Sequence, residues 1–364
     1  MTRVMFEILV LLEKNAEPRR SAEVARELSL HGIDLSQRTM RHYFKMLDTR
    51  GYTEAVAGGR RLTGKGRHEL SHGFVAERVG SLTNRMNDLA FLTDFSIETQ
   101  RGKVILNTTY VPEPEAKKAL NVMRVALNSP FATSNRMLIR GGGERLGHLP
   151  VPTGSVGFGT VCSVTINGVF LKAGIPVSPK YGGVVEVIDS APTRFISAIS
   201  YAGSSVAPLE ILVKSRMTDV LGALTTGTGK VLGSFREIPE ISVIDAKKMH
   251  QKMQGHGFGG AIVFGQPGQP LLGLPVTPGN VGVAVLGGLN PVAALEEAQV
   301  TNQSRVMGTL CDYAELSSVE ALQREYPSDA SFDGSSAIEY LYGKRITNGN
   351  DYWSVFDELK QITL

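Results

Sequence analysis

The sequence predicts a multidomain α/β protein: an N-terminal winged helix-turn-helix, then a larger α/β regulatory domain made of two pseudo-repeated lobes. Three observations predict it. Helical apolar patterns and a Gly-Gly hairpin fill residues 1–70 in the winged-helix order. Gly/Pro clusters recur in order between residues 155 and 325. A chain of 364 residues exceeds what one ordinary core holds. The patterns place the head at 1–70, a linker or dimerisation helix at 71–93 and the body at 94–325. Within the body the repeats are read at about 155–250 and 255–325, followed by an extension at 326–364.

Val4, Met5, Ile8, Leu9 and Leu12 recur at helical spacing and predict a first helix. Pro18 then breaks the chain. Ser21 is placed to cap a second helix, with Val24, Ala25 and Leu28 inward and Gly32 at its end. Ser36 caps a third helix, which buries Met40, Tyr43, Phe44 and Leu47 and which Gly51 closes. Two short strands, Tyr52–Val56 and Arg60–Thr63, flank Ala57-Gly58-Gly59, whose glycines allow the positive φ angles of a tight hairpin.

A helix about 10–12 Å wide fits the major groove of DNA, and basic residues on a wing reach phosphates. The outward side of the third helix carries Gln37, Arg38, Arg41, His42 and Lys45. Arg38 and Arg41 are the candidates for base edges, because a guanidinium fork pairs with guanine O6 and N7. Lys45, Arg60, Arg61 and Lys65 are candidates for phosphates. The competing reading is a protein- or RNA-interaction adaptor, since a solvated helix face is charged whatever it binds.

In the linker, Val75, Val79, Leu82, Met86 and Leu89 form an a/d seam. Such a helix either pairs two chains, so that two heads meet two half-sites, or packs on its own domain. A homodimer or higher homo-oligomer is expected.

The body begins with a strand at Val104–Val111, a helix from Pro112 or Pro114 to Leu127 and a strand at Met137–Arg140. Next, Gly157-Phe158-Gly159 returns as Gly257-Phe258-Gly259, Gly174–Pro179 as Gly273–Pro278, and Gly183-Val184 as Gly282-Val283. Val231–Ser234 resembles Val306–Thr309. Matched in this way, the first copy holds about 25 extra residues within 193–230. Runs Thr160–Ile166 and Val169–Ala173 read as strands. Two lobes leave a cleft between them, a preferred place for ligands. A helix is expected near Tyr352–Ile362 in the extension.

Composition sets the outer limits. With 42% hydrophobic and 20% charged residues the chain can bury a core and is not disordered. No apolar run reaches the roughly 18 to 20 residues that cross a bilayer. Glu7 interrupts the apolar stretch Val4–Leu12, which reads as an amphipathic helix and not as a signal peptide. Two cysteines, Cys162 and Cys311, provide neither a disulfide framework nor a four-thiolate metal site. A reducing, cytoplasmic setting is expected, with no membrane partner. The net charge of +3 is concentrated in residues 1–70, leaving the rest near neutral. A basic head on a near-neutral body is the pattern of a nucleic-acid reader joined to a module with another task.

Catalytic and cofactor motifs fail. In Thr226-Gly227-Thr228-Gly229-Lys230, Leu224 replaces the first Walker glycine and Val231 stands where Ser or Thr would ligate Mg²⁺. The seven histidines show no metal-ligand spacing. Ser204-Ser205 lacks the Gly-x-Ser-x-Gly elbow. No enzyme activity, cofactor or metal is expected. The stretch Tyr201–Arg236 does combine Ser204, Ser205, Lys214, Arg216, Thr218, Thr225, Thr228, Lys230 and Arg236. Hydroxyls, glycine-rich N–H groups and fixed cations are what a carboxylate needs on leaving water. The plainer alternative is a polar surface loop.

The winged head followed by Tyr201–Ser205, Ala207–Ile211, Met217-Thr218, Gly227–Val231 and Ser234–Pro239 resembles the NrpR family of nitrogen regulators, as do Gly257–Gly259 and Gly273–Asn280. The resemblance covers residues 1–325. It implies a repressor that binds double-stranded operator DNA as a dimer or larger assembly, released from nitrogen-assimilation genes by 2-oxoglutarate. Joined to the polar cluster, it assigns a ligand carboxylate to Arg216, Lys230 or Arg236, with Ser204, Ser205, Thr218 or Thr228 donating hydrogen bonds. The alternative is a winged-helix regulator answering to a different metabolite.

Overall fold

Caps and apolar spacing fix the first unit, Met1–Val79, of a computed structural model that describes residues 3–13, 17–30, 33–72 and 79–325. Helices α1 (Arg3–Glu13), α2 (Ser21–Leu30) and α3 (Gln37–Thr49) bury Met5, Ile8, Leu9, Val24, Leu28, Met40, Phe44 and Leu47 in one core. Ser36 Oγ accepts the Thr39 N–H at 3.1 Å, satisfying one of the free donors at the start of α3. Gly51, at φ 71°, ends that helix. Strands β1 (Thr53–Val56) and β2 (Gly59–Leu62) form an antiparallel hairpin. The backbone of Arg19 pairs with Arg60, adding a rung to the outer edge of β2. Gly59 is required there, because a Cβ would lie 2.3 Å from Arg19 O. Helix α4 (Gly64–His72) runs past the expected boundary at 70. Gly32 and Val75, named in the sequence patterns, and the expected helix near Tyr352–Ile362 lie outside the described residues.

The second unit, Gly80–Leu364, opens with α5 (Ser81–Leu92). Then come β3 (Lys103–Pro112), α6 (Ala116–Leu127), β4 (Arg136–Arg140), a short β5/β6 pair (Arg145–Leu146 and Leu149–Pro150), β7 (Ser155–Val161), α7 (Val164–Lys172) and β8 (Ser178–Ile188). An excursion of β9 (Ala191–Ser200), α8 (Pro208–Lys214) and α9 (Val220–Thr226) follows. The series then repeats as β10 (Gly229–Pro239), α10 (Val243–Gly255), β11 (Ala261–Phe264), β12 (Asn280–Leu286), α11 (Asn290–Glu297) and β13 (Gln303–Asp312). Strand β14 (Ser317–Ser318) and α12 (Val319–Glu325) close the described chain.

The repetition extends to register. Pro112 of β3 pairs with Ser155 of β7, and Pro239 of β10 pairs with Asn280 of β12. Met137 pairs with Thr160, and Ile262 with Val285. The two antiparallel sheets run β13-β3-β7-β4-β14 and β11-β12-β10-β8-β9. Each copy's last strand therefore joins the other copy's sheet: β8 lies beside β10, and β13 beside β3. One core gathers α6, α8, α9 and α11; the other gathers α7 and α10 with the opposing sheet faces.

This arrangement corrects the repeat boundaries at about 155–250 and 255–325. Gly157–Gly159 lies in β7, whereas Gly257–Gly259 lies in the turn after α10. Gly183 is in β8 and Gly282 in β12, and Val231 opens the second copy while Val306 is in its last strand. The places that correspond are Leu149-Pro-Val-Pro-Thr-Gly-Ser-Val-Gly157 and Leu274-Pro-Val-Thr-Pro-Gly-Asn-Val-Gly282, each leading into the same central strand. Residues 191–226, β9 to α9, have no counterpart. Val169–Ala173, expected as a strand, forms the last turn and C-cap of α7: five residues span little more than one helical turn, too few to reveal its period.

The linker seam is corrected as well. Helix α5 starts only at Ser81, after Gly80 at φ 81°, and the unit boundary falls between Val79 and Gly80, not at 70 or 93. Met86 is buried, and Leu82 and Leu89 pack on the same cluster within the second unit. Leu82, Met86 and Leu89 of the seam thus pack on their own domain.

Candidate functional site

The duplicated topology brings two helix starts to one place. Helix α7 begins directly after β7, and α11 directly after β12. Cys162, Ser163 and Val164 from the first turn and Gly288 and Leu289 from the second line a single cavity of about 40 Å³. The first N–H groups of a helix lack intrahelical acceptors and carry the positive end of its dipole, so such an end favours anions. Asn107 of β3 and Ser234 of β10, at matching places in the two sheets, also line it. Tyr201 and Ala207–Leu209 close one side, Val306 and Met307 another, and Leu82 and Met86 of α5 a third.

Ser234 and Arg236 are two apart on β10 and so face the same way. Arg236 is 1% exposed. Its Nη2 donates to the Ser163 carbonyl and to Ser163 Oγ, both at 3.0 Å, and its Nε donates to Ser234 Oγ at 3.4 Å. Nη1 has no hydrogen-bond partner among the described residues. Burial holds the guanidinium down to about 10, which leaves it charged at neutral pH. A buried cation with an idle donor costs several kcal/mol unless something pairs with it. Around it, the Tyr201 hydroxyl donates to Ser234 Oγ at 3.1 Å. Burial pushes the Tyr201 phenol and the Cys162 thiol up from their ordinary values, so both are neutral. Asn107 Nδ2 donates to Gly288 O at 3.2 Å, and Asn107 Oδ1 accepts the Met307 N–H at 3.1 Å.

Of the expected carboxylate-binding set, only Arg236 meets this cavity wall. Ser204, buried, and Ser205, half-buried, lie in the loop between Tyr201 and Ala207. Arg216, Thr218, Thr228 and Lys230 are corrected away from it. Lys230 sits six residues along β10 from Arg236, roughly 20 Å at strand spacing. Thr218 Oγ1 donates to Glu297 at 2.7 Å, Arg216 and Thr228 are exposed, and Lys214 is paired with Glu296. Thr226–Lys230 is the left-handed end of α9 at Gly227 leading into β10. Cys162, Ser163, Tyr201, Asn107 and Ser234 went unrecognised in the sequence. The one local signal was Ser234 and Arg236, two polar residues on the same face of a strand that is apolar from Val231 to Gly233.

In the head, Gln37, Arg38, Arg41, His42 and Lys45 form an exposed face of α3 opposite Met40, Phe44 and Leu47. Arg60 differs from this group: its Nε donates to Asp48 at 2.8 Å and its guanidinium lies 5.0 Å over the Phe44 ring, tying wing to helix. Arg61 is exposed and paired with Glu54 at 2.7 Å. Lys65 Nζ donates to Arg50 O at 2.9 Å. Among the described residues, no helix is long and apolar enough to cross a membrane.

Residues 79–318 match the NrpR regulatory domains NRD1 and 2, and residues 6–70 match the ribonuclease R winged-helix domain. The global nitrogen regulator NrpRI of Methanosarcina mazei is 33% identical over 318 residues, covering 87% of this chain and 98% of that protein. The global nitrogen regulator NrpR of Methanococcus maripaludis is 28% identical over 296 residues, or 81% of this chain and 51% of the relative. The crystal structure of a nitrogen repressor-like protein from Methanococcus jannaschii matches with a TM-score of 0.55 at 25% identity, covering 65% of this chain and 98% of that one. These relatives are regulators, not enzymes. With its regulatory region and most of its length matched, the chain belongs to the NrpR family of nitrogen regulators.

Proposed function

We propose that the chain is a DNA-binding repressor of nitrogen-assimilation genes, relieved when a small dicarboxylate of the 2-oxoglutarate class occupies the cavity beside Arg236. The observation that carries this reading is the buried Arg236 guanidinium, whose Nη1 is unpartnered among the described residues, next to a cavity met by two helix starts. A ligand with two carboxylates suits a cavity met by two helix starts, each the positive end of a dipole. The ends are unequal, because Arg236 arms only the α7 side. One carboxylate there gains a charge-assisted bond, and the other lies at the positive end of the α11 dipole. Regulation follows from linkage: a ligand favouring the DNA-incompetent arrangement shifts the population by its differential affinity and by no more. The α3 face supplies the DNA contacts, and a homodimer or larger assembly brings two heads to two half-sites.

Calorimetry of the purified full chain with 2-oxoglutarate, against succinate and glutamate, tests the ligand. Selective heat at roughly micromolar to millimolar concentration is expected. No heat from any of the three removes the cavity from the regulatory scheme. Fluorescence anisotropy on duplexes selected from a random pool tests the head. Affinity is expected to fall steeply with salt and to drop on adding 2-oxoglutarate; a salt-insensitive result favours the adaptor reading.

A further inference from the structure

The cavity of about 40 Å³ holds roughly three waters. Arg236 lies behind Ser163 and Ser234, which line the cavity, so a five-carbon dicarboxylate that reaches it needs a wall to yield. Most of the wall cannot: Asn107 and Ser234 are in central strands, and Ser163 and Leu289 start buried helices. Helix α5 is different, contributing only Leu82 and Met86.

The two ends of α5 are held unequally. At its C-terminal end it meets α7 at Gly168, where an added Cβ would lie 2.6 Å from Thr93 Cβ and 2.8 Å from Ala90 O. At its N-terminal end the cap position is Gly80, at φ 81° and without a side-chain capping bond. The Gly80 N–H reaches Ser204 O at 3.2 Å. In mid-helix, Arg85 Nη2 donates to the Met307 carbonyl at 2.6 Å.

That carbonyl belongs to an unusual stretch. Met307 has φ 50°, a left-handed conformation that a side chain with a Cβ disfavours. It lies where the register of β13 against β3 slips between Arg305 and Thr309. The matching stretch of β8, the other exchanged strand, is Tyr181-Gly182-Gly183, with glycine in place of methionine. The Met307 N–H is held by Asn107, its carbonyl is held by Arg85, and its side chain lines the cavity. Met307 thus links the helix to the space beneath it.

We propose that α5 is a lid on the cavity, hinged where it packs against Gly168 and latched by Arg85 on the Met307 carbonyl, and that a bound dicarboxylate holds it open. The ligand's identity rests on the function proposed above; the latch rests on the contacts of α5 alone. In chain order α5 is the first described helix after the winged head, so the chain that joins the two units enters at its N-terminal end. Opening the lid moves that tether, which supplies a mechanical route from ligand to head.

Hydrogen–deuterium exchange on the full chain tests this. Arg85→Ala is expected to speed exchange of the α5 amides at Leu82–Leu89 about tenfold, the scale of one charge-assisted hydrogen bond, while α7 is unchanged. Arg85→Lys, which keeps a cationic donor, restores part of the protection. Saturating 2-oxoglutarate speeds the same amides in the unaltered protein. Circular dichroism checks that the variants fold. If Arg85→Ala exchanges like the unaltered protein, there is no latch. If calorimetry shows 2-oxoglutarate binding but α5 is unaffected, α5 is not a lid. If 2-oxoglutarate does not bind, the ligand reading falls and the Arg85→Ala comparison alone decides the latch.

Discussion

Asn290 and Leu232 are bonded in both directions. The Leu232 N–H donates to Asn290 Oδ1 at 2.7 Å, and Asn290 Nδ2 donates back to the Leu232 carbonyl at 3.2 Å. The same amide reaches Phe131 O at 3.0 Å, and Asn290 is fully buried. In the other copy the Ile105 N–H donates to Thr165 Oγ1 at 3.1 Å, so each α-helix of this pair pins the strand that opens its own copy. Removing the amide strands three backbone groups, whereas removing the hydroxyl strands fewer. Asn290→Ala is therefore expected to cost at least about 3 kcal/mol and Thr165→Val about 1–2 kcal/mol. Urea denaturation followed by circular dichroism measures both, and equal losses would contradict the unequal roles.

Arg236→Met separates ligand binding from stability. A buried cation replaced by an apolar chain of similar length is often neutral or stabilising, and this one carries an idle donor. Its melting temperature is expected to match or exceed that of the unaltered protein. Its affinity for 2-oxoglutarate should fall by about 2 kcal/mol or more, the strength of a charged hydrogen bond. Unaltered calorimetric affinity would remove Arg236 from the site.

The two arginines of the head should behave differently. Arg41 is exposed on α3, so Arg41→Ala should weaken duplex binding by about 1–3 kcal/mol without changing the melting temperature. Arg60 joins Asp48 and Phe44, so Arg60→Ala should destabilise the head by about 1–2 kcal/mol. Anisotropy titrations and thermal melts on the same samples check the contrast; the reverse pattern would mean that the wing, not α3, reads the DNA.

Thiol chemistry reports on the cavity wall. Burial pushes Cys162 up, and burial with Glu315 pushes Cys311 up to about 12. A raised pKa keeps the unreactive thiol form to higher pH, so labelling at pH 8 should be slow at both and faster as pH rises. Since Leu82 and Met86 cover the cavity that Cys162 lines, Arg85→Ala should speed maleimide labelling of Cys162 and leave Cys311 unaffected. Peptide mass spectrometry distinguishes the two, and parallel acceleration would mean general loosening.

Gly168→Ala probes the hinge. The added methyl has no room against Ala90 O and Thr93, so overpacking should cost about 1–3 kcal/mol. A neutral melting temperature would show that α5 is not closely held there.

The head was readable because its determinants are local. Ser36, Gly51 and Gly58-Gly59 each fix a cap or turn within a few residues, and the helix periods survive on a surface with a wet side. The body was legible as strands and helices around Val104–Arg140, but its repeat was matched in the wrong register. Gly/Pro clusters mark turns, and turns recur between many pairs of elements; the central strands β7 and β12, with their shared Val-Gly, identify the copies better. Arg236 was named as one cation of the polar stretch Tyr201–Arg236. Its partners Ser163 and Tyr201 come from distant segments that no spacing connects, while Thr228 and Lys230, near it in sequence, are carried away by an extended strand.

The exchange of β8 and β13 has a consequence for how such a body arises and folds. Neither copy contains every strand of its own sheet, so neither half closes a core by itself. Two identical half-length chains trading their last strands would build the same pair of sheets as a symmetric dimer. The present body has the strand order of that dimer in one polypeptide. Within one chain the halves are free to differ: one carries Arg236 and the other Thr109 beside the corresponding central strand. It also obliges the chain to complete its first sheet only after Asp312 has been made, so the earliest strand waits for nearly the last one.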